Sequence, residues 1–93
     1  MTDAPVKRRL QIVNIKGLHA RASAKLAEVV EQYDADAKVS RDSMSTGGDS
    51  IMGLLMLAAS KGSFIEVETS GPQALELADA IEALVADKFG EGD

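Results

Sequence analysis

His19 is the one histidine in the chain, and it lies in the segment KGLHARASAKLAE, two residues before Arg21. The apolar spacing becomes helical directly after it, which predicts that His19 stands at a helix N-terminus. Unpaired backbone N–H groups and the positive end of the helix dipole lie there, and this field disfavours a charged ring. A neutral imidazole in this place could accept a phosphoryl group, whose negative charge the helix end and Arg21 would stabilise.

The same residues also fit an ordinary surface histidine with no chemistry, and from position alone both interpretations stay open. Other site chemistries have less support. One histidine without any cysteine does not make a zinc or iron site, and no carboxylate cluster has calcium-loop spacing. The segments KGLH and TGGDS lack the lysine pattern of a P-loop, and nothing in the spacing favours a Ser-His-Asp triad. We therefore expect neither a metal nor a cofactor.

Charge is distributed unevenly along the chain, whose net charge is −5. Six bases and no acid lie between residues 7 and 27, whereas residues 62–93 contain eight acids and one base. The acidic total argues against a nucleic-acid partner, which needs a basic surface. The basic N-terminal third, which includes Lys16 and Lys25, indicates either a local docking and anion-binding face or an unevenly charged solvated surface.

The length of 93 residues is that of one domain, here 1–93, with residues 1–6 and 89–93 expected to fray. The chain has no cysteine, which fits a reducing compartment. The N-terminus lacks the apolar stretch of a signal peptide, and the longest apolar run, 51–59, is too short to cross a bilayer. We expect a cytoplasmic protein without membrane insertion.

Hydrophobic periodicity predicts seven elements. Residues 8–14, 34–41 and 63–69 alternate like half-buried strands, and residues 44–46 add a short one before Gly47-Gly48. Apolar stripes predict helices from His19 to about Tyr33 and from Gly71-Pro72 towards the acidic tail. Asp49 or Ser50 should cap a third helix that ends at Gly62. The buried face of that helix is expected to be Ile51, Leu54, Leu55 and Ala58.

The predicted order is β-α-β-β-α-β-α. Three helices with one apolar stripe each can cover one face of a sheet and leave the other face wet. Since such sheets are usually antiparallel, we predict a two-layer, open-faced α/β (α+β) sandwich with a four-stranded antiparallel sheet.

The segment GLHARASAKLAE closely resembles the phosphorylation site of the histidine-containing phosphocarrier (HPr) family of the bacterial phosphotransferase system. A second segment, DSIMGLLMLAASKGSFIEV, resembles the second helix and last strand of that family, and the predicted fold matches. The resemblance implies a carrier, not an enzyme in its own right, that serves sugar transport or regulation. His19 would receive phosphate at Nδ1 from enzyme I and pass it to an enzyme IIA-type acceptor, with Arg21 supporting the phosphate.

The resemblance also implies a regulatory role for Ser50, which corresponds to a serine that a kinase/phosphorylase modifies in some lineages. Whatever its regulation, Ser50 is expected to cap its helix. Lys16 and Lys25, with Ile51 and Met52 at the start of that helix, are candidates for partner docking. Ile51 lies on the predicted core stripe and Met52 off it, where an exposed methionine suits an adaptable surface. We expect a monomer.

Ala22 departs from the family pattern, which usually has proline directly after the arginine. Alanine fits the same helical turn without the stiffness of proline. The change resembles a proteobacterial branch that includes the nitrogen-related phosphocarriers, as does IEVETSGPQALE. A regulatory phosphorelay and sugar transport therefore both stay open. The competing class is a non-catalytic interaction module, because small α/β sandwiches host many functions.

Overall fold

The computed structural model describes residues 4–91 of the chain. These residues form four strands and three α-helices in the predicted order, followed by a short 3₁₀ turn at Lys88–Gly90. The elements in chain order are β1 (Val6–Gln11), α1 (Ala20–Glu31), β2 (Asp36–Arg41), β3 (Met44–Gly47), α2 (Ile51–Met56), β4 (Phe64–Ser70) and α3 (Ala74–Ala86).

The strands form one antiparallel sheet in the order β1-β4-β2-β3. Side chains alternate along β4, where Ile65, Val67 and Thr69 are buried as predicted and Phe64 and Glu66 are exposed. The buried side chains face the three helices, and the open face pairs opposite charges across strands. The open-faced sandwich predicted from the sequence is confirmed.

On the open face of the sheet, basic side chains of β1 lie opposite acidic side chains of β4. Arg9 on β1 lies opposite Glu66, Lys7 lies opposite Glu68, and the Arg9 guanidinium stacks 4.1 Å from the centre of the Phe64 ring. Arg8 points the other way, towards α3, where its guanidinium contacts Glu82 at 2.6 Å and Asp79 at 3.1 Å. The hydrogen bonds to Glu82 and then Asp79 raise the pKa of Arg8.

Helix α2 differs from its prediction. It ends at Met56 rather than at Gly62, because Ala58 takes a left-handed backbone conformation with φ +52°. Its inner face consists of Leu54, with Leu57 and Ala59 buried in the segment that follows; Ile51 is 42% exposed and Ala58 is exposed. The expected buried face was therefore right at Leu54, which is fully buried, and wrong at Ile51 and Ala58, while Leu55 is only half-buried.

The cause is a close contact between α2 and β3. A β-carbon on Gly53 would lie 1.8 Å from the Thr46 Oγ1, so the backbone of α2 meets β3 where any other residue would clash. This contact sets the rotation of the helix, with Leu54 inward and Ile51 outward. Ser50 caps the helix as predicted, since its Oγ accepts a hydrogen bond from the Gly53 N–H at 3.1 Å.

The expectation of frayed ends also needs correction. Val6 pairs with Thr69 in β1, and Phe89 is fully buried among the core residues. With only three aromatic residues in the chain, burying Phe89 is a large apolar gain, and it holds the segment after α3 against the domain. Residues 1–3 and 92–93, which belonged to the same expectation, lie outside the described residues.

Across residues 4–91, every helix is too short or too polar to cross a bilayer.

Candidate functional site

The backbone before His19 makes a turn that glycine alone permits. Gly17 has φ +67°, and a β-carbon there would lie 2.5 Å from the Ala59 carbonyl oxygen. The next residue, Leu18, is buried and donates its N–H to that same oxygen at 2.8 Å. The turn is therefore fixed against the segment that follows α2, and α1 begins at a defined place.

His19 occupies the N-cap position of α1, as the sequence predicted. Its carbonyl oxygen accepts from the Ser23 N–H at 2.8 Å, which is the first hydrogen bond of the helix. Its side chain makes no capping bond. The N–H groups of the first helical residues, Ala20 to Ala22, have no carbonyl partner within the helix by its geometry. The imidazole thus lies beside amide donors that have no partner within the helix, and it does not cap them itself.

Glu91 contacts the imidazole and is the functional neighbour that sequence reasoning missed. One carboxylate oxygen, Oε2, lies in short contact with His19 Nε2, and the other accepts from Asn14 Nδ2 at 2.8 Å. The Glu91 side chain is 12% exposed and that of His19 is 26% exposed. The pair is separated by 72 residues, so no local pattern joins it.

The segment around Glu91 is held by three anchors. Phe89 fills the core, Lys25 Nζ donates to the Phe89 carbonyl at 2.7 Å, and Asn14 holds the Glu91 carboxylate. Lys88, Phe89 and Gly90 have φ values of 55°, 54° and 74°, in the left-handed region. Such backbone persists in non-glycine residues only where packing enforces it. An isolated Phe-Gly after a helix, in a chain poor in aromatics, was the signal that could have indicated this docking.

A cavity of about 320 Å³ opens beside the imidazole. Arg21 is exposed at its edge, and within residues 4–91 neither Arg21 nor Lys16 forms an ion pair. With the helix N-terminus, these cations make the cavity suited to an anion. Its lining is Ile15, Lys16, His19, Arg21, Lys25, Gly90 and Glu91.

Four of the residues singled out from the sequence therefore meet in one place: His19, Arg21, Lys16 and Lys25. The other three do not line this cavity and lie at the start of α2, which packs against α1. Ser50 is half-buried at the cap, while Ile51 is 42% and Met52 71% exposed. No cluster of His, Cys, Asp or Glu among the described residues could hold a metal ion.

Comparison with known proteins gives consistent results. The family model described as "PTS HPr component phosphorylation site" matches residues 6–87. The phosphocarrier protein HPr of Cupriavidus necator is 46% identical over 88 residues, covering 95% of this chain and 99% of the relative. The phosphocarrier protein NPr of Klebsiella oxytoca is 39% identical over 87 residues, covering 92% and 97%.

Solved structures agree with these sequence matches. The crystal structure of an HPr from Bacillus anthracis superposes with a TM-score of 0.85 at 34% identity, covering 89% of this chain and 99% of the other. HPr-C-His from Thermoanaerobacter tengcongensis gives a TM-score of 0.88 at 29% identity, covering 92% and 97%.

The anchoring of the C-terminal segment can be tested with two lysines of the same cavity. Lys25→Met removes the hydrogen bond to the Phe89 carbonyl while keeping the apolar stem, and should lower the free energy of unfolding by about 1 kcal/mol. Lys16→Met removes an exposed cation that has no ion pair among residues 4–91, and it should change the free energy of unfolding by less than about 0.5 kcal/mol. Urea unfolding measures both. Equal effects of the two substitutions would contradict the anchoring role of Lys25.

Proposed function

The chain belongs to the HPr family of phosphocarrier proteins, and on that basis we propose that His19 receives a phosphoryl group from enzyme I and passes it to an enzyme IIA-type acceptor. The observation that carries this proposal is the uncapped helix start of α1. A helix N-terminus usually takes a residue whose side chain bonds the backbone amides, but the imidazole of His19 makes no such bond and faces the cationic cavity. The His19 side chain is therefore available for reaction and is not used to cap the helix.

The transfer is a displacement at phosphorus. The lone pair of His19 Nδ1 forms the new N–P bond, and the bond between phosphorus and the donor breaks, with its electron pair leaving on the donor. The transferred group brings nearly two negative charges to the start of α1. The amides of the first helical turn and the guanidinium of Arg21, which has no competing ion pair among residues 4–91, receive them.

Partners dock, in this proposal, on a surface that combines charge and apolar contact. Lys16 and Lys25 lie at the cavity, and Ile51 and Met52 are exposed on the neighbouring helix α2. The turn at Gly17 is hydrogen-bonded to the segment after α2. The cavity and the exposed side chains of α2 are therefore held in a fixed position relative to each other. Flexible methionine beside cations suits a carrier that must bind both a donor and an acceptor through acidic-rimmed sites.

Ser50 is proposed as a site for a serine kinase/phosphorylase that regulates docking. Its hydroxyl lies directly before the exposed Ile51 and Met52, and is half-buried as the cap of α2. A phosphate there would place a dianion beside the apolar docking contacts, where any partner would have to desolvate it. The effect should appear in association and leave the chemistry at His19 unchanged.

The downstream pathway divides into two candidates. Relatives named HPr and relatives named NPr both match over nearly the full chain, and Ala22 stands where the family pattern usually has proline. We propose transfer in a phosphotransferase system, either for sugar transport or as a regulatory phosphorelay. We further propose that the carrier acts as a cytoplasmic monomer. The remaining alternative, an interaction module without phosphate transfer, is separated from both by the next experiment.

Incubation with enzyme I and phosphoenolpyruvate should add one acid-labile phosphate to the protein, seen by mass measurement. His19→Ala should gain none, because the chain has no other histidine. A gain of phosphate by His19→Ala, or none by the native protein, would contradict a carrier function at His19.

Arg21→Ala should slow phosphorylation by roughly tenfold or more, the equivalent of one charge-assisted hydrogen bond in the transition state. The free energy of unfolding should change by less than about 0.5 kcal/mol, since Arg21 is exposed. Arg9→Ala removes another exposed arginine, on the open sheet face, and should transfer at the native rate. Stopped-flow or quench kinetics with enzyme I measure both, and equal rates for the two variants would refute the role of Arg21.

Ser50→Asp should raise the apparent KM for enzyme I while the melting temperature is retained. Aspartate carries one charge where phosphate has nearly two, so the increase is a lower bound. Ser45→Asp places the same charge on the edge strand β3 and should leave the KM unchanged. If the KM stays at its native value in both Ser50→Asp and the phosphorylated protein, Ser50 is a helix cap without a regulatory role.

A further inference from the structure

The contact between the C-terminal segment and the reactive ring carries a consequence for the tautomer of His19. We propose that Glu91 is a positioning residue that keeps the proton of the neutral imidazole on Nε2, leaving Nδ1 unprotonated as the nucleophile. This inference deepens the proposed function and rests on it. Its evidence is the arrangement of Asn14, Glu91 and His19, which the sequence did not indicate.

The orientation of the Asn14 amide fixes the direction of these hydrogen bonds. Its Nδ2 lies 2.8 Å from the Gly17 carbonyl oxygen and 2.8 Å from Glu91 Oε1, both of which accept. A flipped amide would place its oxygen against two acceptors, so the donor must face them. The side chain of Asn14 is fully buried, which makes this orientation costly to change. One Glu91 oxygen thereby accepts from Asn14, and the other contacts the imidazole.

The imidazole must then donate. An ionised carboxylate has no proton to give, so the contact between Glu91 Oε2 and His19 Nε2 is satisfied when Nε2 carries the hydrogen. In a neutral ring with one hydrogen on Nε2, the lone pair lies on Nδ1. The hydrogen bond at one nitrogen thus decides which nitrogen is nucleophilic, as for the second-sphere partners of reactive histidines in general.

Glu91 also faces the charge that the reaction creates. When Nδ1 forms its bond to phosphorus and the donor departs with the electron pair, the ring keeps the Nε2 hydrogen and becomes a phosphoimidazolium cation. No proton has to leave. The cation lies against the carboxylate of Glu91, which stabilises it as it develops. In onward transfer the N–P bond breaks and the ring leaves as neutral imidazole, a better leaving group than an anion.

The contacts that hold residues 88–90 in place are consistent with a role for Glu91 in positioning His19. Phe89 in the core and the bond from Lys25 to its carbonyl hold the backbone next to Glu91, in a left-handed conformation that is unfavourable without them. The carboxylate is consequently presented by rigid structure, as a group that orients a reactive side chain requires.

The test is nitrogen-15 NMR of the single histidine in the unphosphorylated protein, at a pH where the ring is neutral. The native ring should show protonated Nε2 and unprotonated Nδ1. In Glu91→Gln, Asn14 should retain the carbonyl oxygen, which turns the amide NH₂ towards Nε2 and shifts the ring towards the Nδ1–H tautomer. Glu91→Ala, which removes both oxygens, should give a mixture. Asp87→Asn removes one exposed acid of the same segment and should leave the native tautomer.

Kinetics with enzyme I complete the test. Phosphorylation of Glu91→Gln should fall roughly ten- to a hundredfold in kcat, less than for a fully buried partner because the pair is partly exposed, with KM changed less than about twofold. Asp87→Asn should react at the native rate.

The outcomes separate the two levels of inference. Normal phosphorylation of the native protein, together with an unchanged tautomer or an unchanged kcat in Glu91→Gln, would overturn the role of Glu91 and leave the proposed function intact. A native protein that shows the Nε2–H tautomer but accepts no phosphate would overturn the proposed function and, with it, the part of Glu91 in transfer.

Discussion

The close approach of Gly17 to Ala59 is the constraint on which the site depends. The Gly17 backbone lies where a β-carbon would be 2.5 Å from the Ala59 carbonyl oxygen, and that oxygen also accepts from the Leu18 N–H. One carbonyl therefore sets where α1 begins and how α1 stands relative to the end of α2. Because His19 directly follows Leu18, the place of its imidazole relative to the exposed side chains of α2 follows from backbone contact rather than from flexible side chains.

The basic region of the sequence separates into distinct roles in the fold. Arg8 is held by Glu82 and Asp79 of α3, and Arg9 stacks on Phe64 across the open face of the sheet. Lys25 donates to the Phe89 carbonyl and ties down the segment that carries Glu91. Two cations, Lys16 and Arg21, are left at the cavity without an ion pair among residues 4–91. A count of charge along the sequence thus overstated the number of cations that line the cavity without another partner.

Sequence patterns correctly predicted the features of the fold that interactions between neighbouring residues determine. Period and capping chemistry placed the order of all strands and helices, the Ser50 cap and the position of His19 at the start of α1. The same patterns failed for features that depend on contacts between residues far apart in the sequence. The close contact between Gly53 and Thr46 sets the orientation of α2. The segment after α3 is held by the burial of Phe89 and by the hydrogen bond from Asn14 to Glu91, which lie far apart in the sequence. Glu91 was missed for this reason, since an acidic end without context is typical of a solvated tail.

The two helix starts at the candidate site differ in their capping. Ser50 bonds the Gly53 amide, and α2, six residues long, needs this bond because it has few others. His19 bonds no amide of α1, which forgoes a cap of about 1 kcal/mol. Helix α1 can tolerate that loss because it has twelve residues and buries five of them, including Ala22, Leu26 and Val30. Its packing stabilises the helix without a capping side chain at residue 19, which leaves that side chain free to serve the chemistry proposed above. A serine at residue 19 would improve the helix and leave the cavity without a nucleophilic nitrogen.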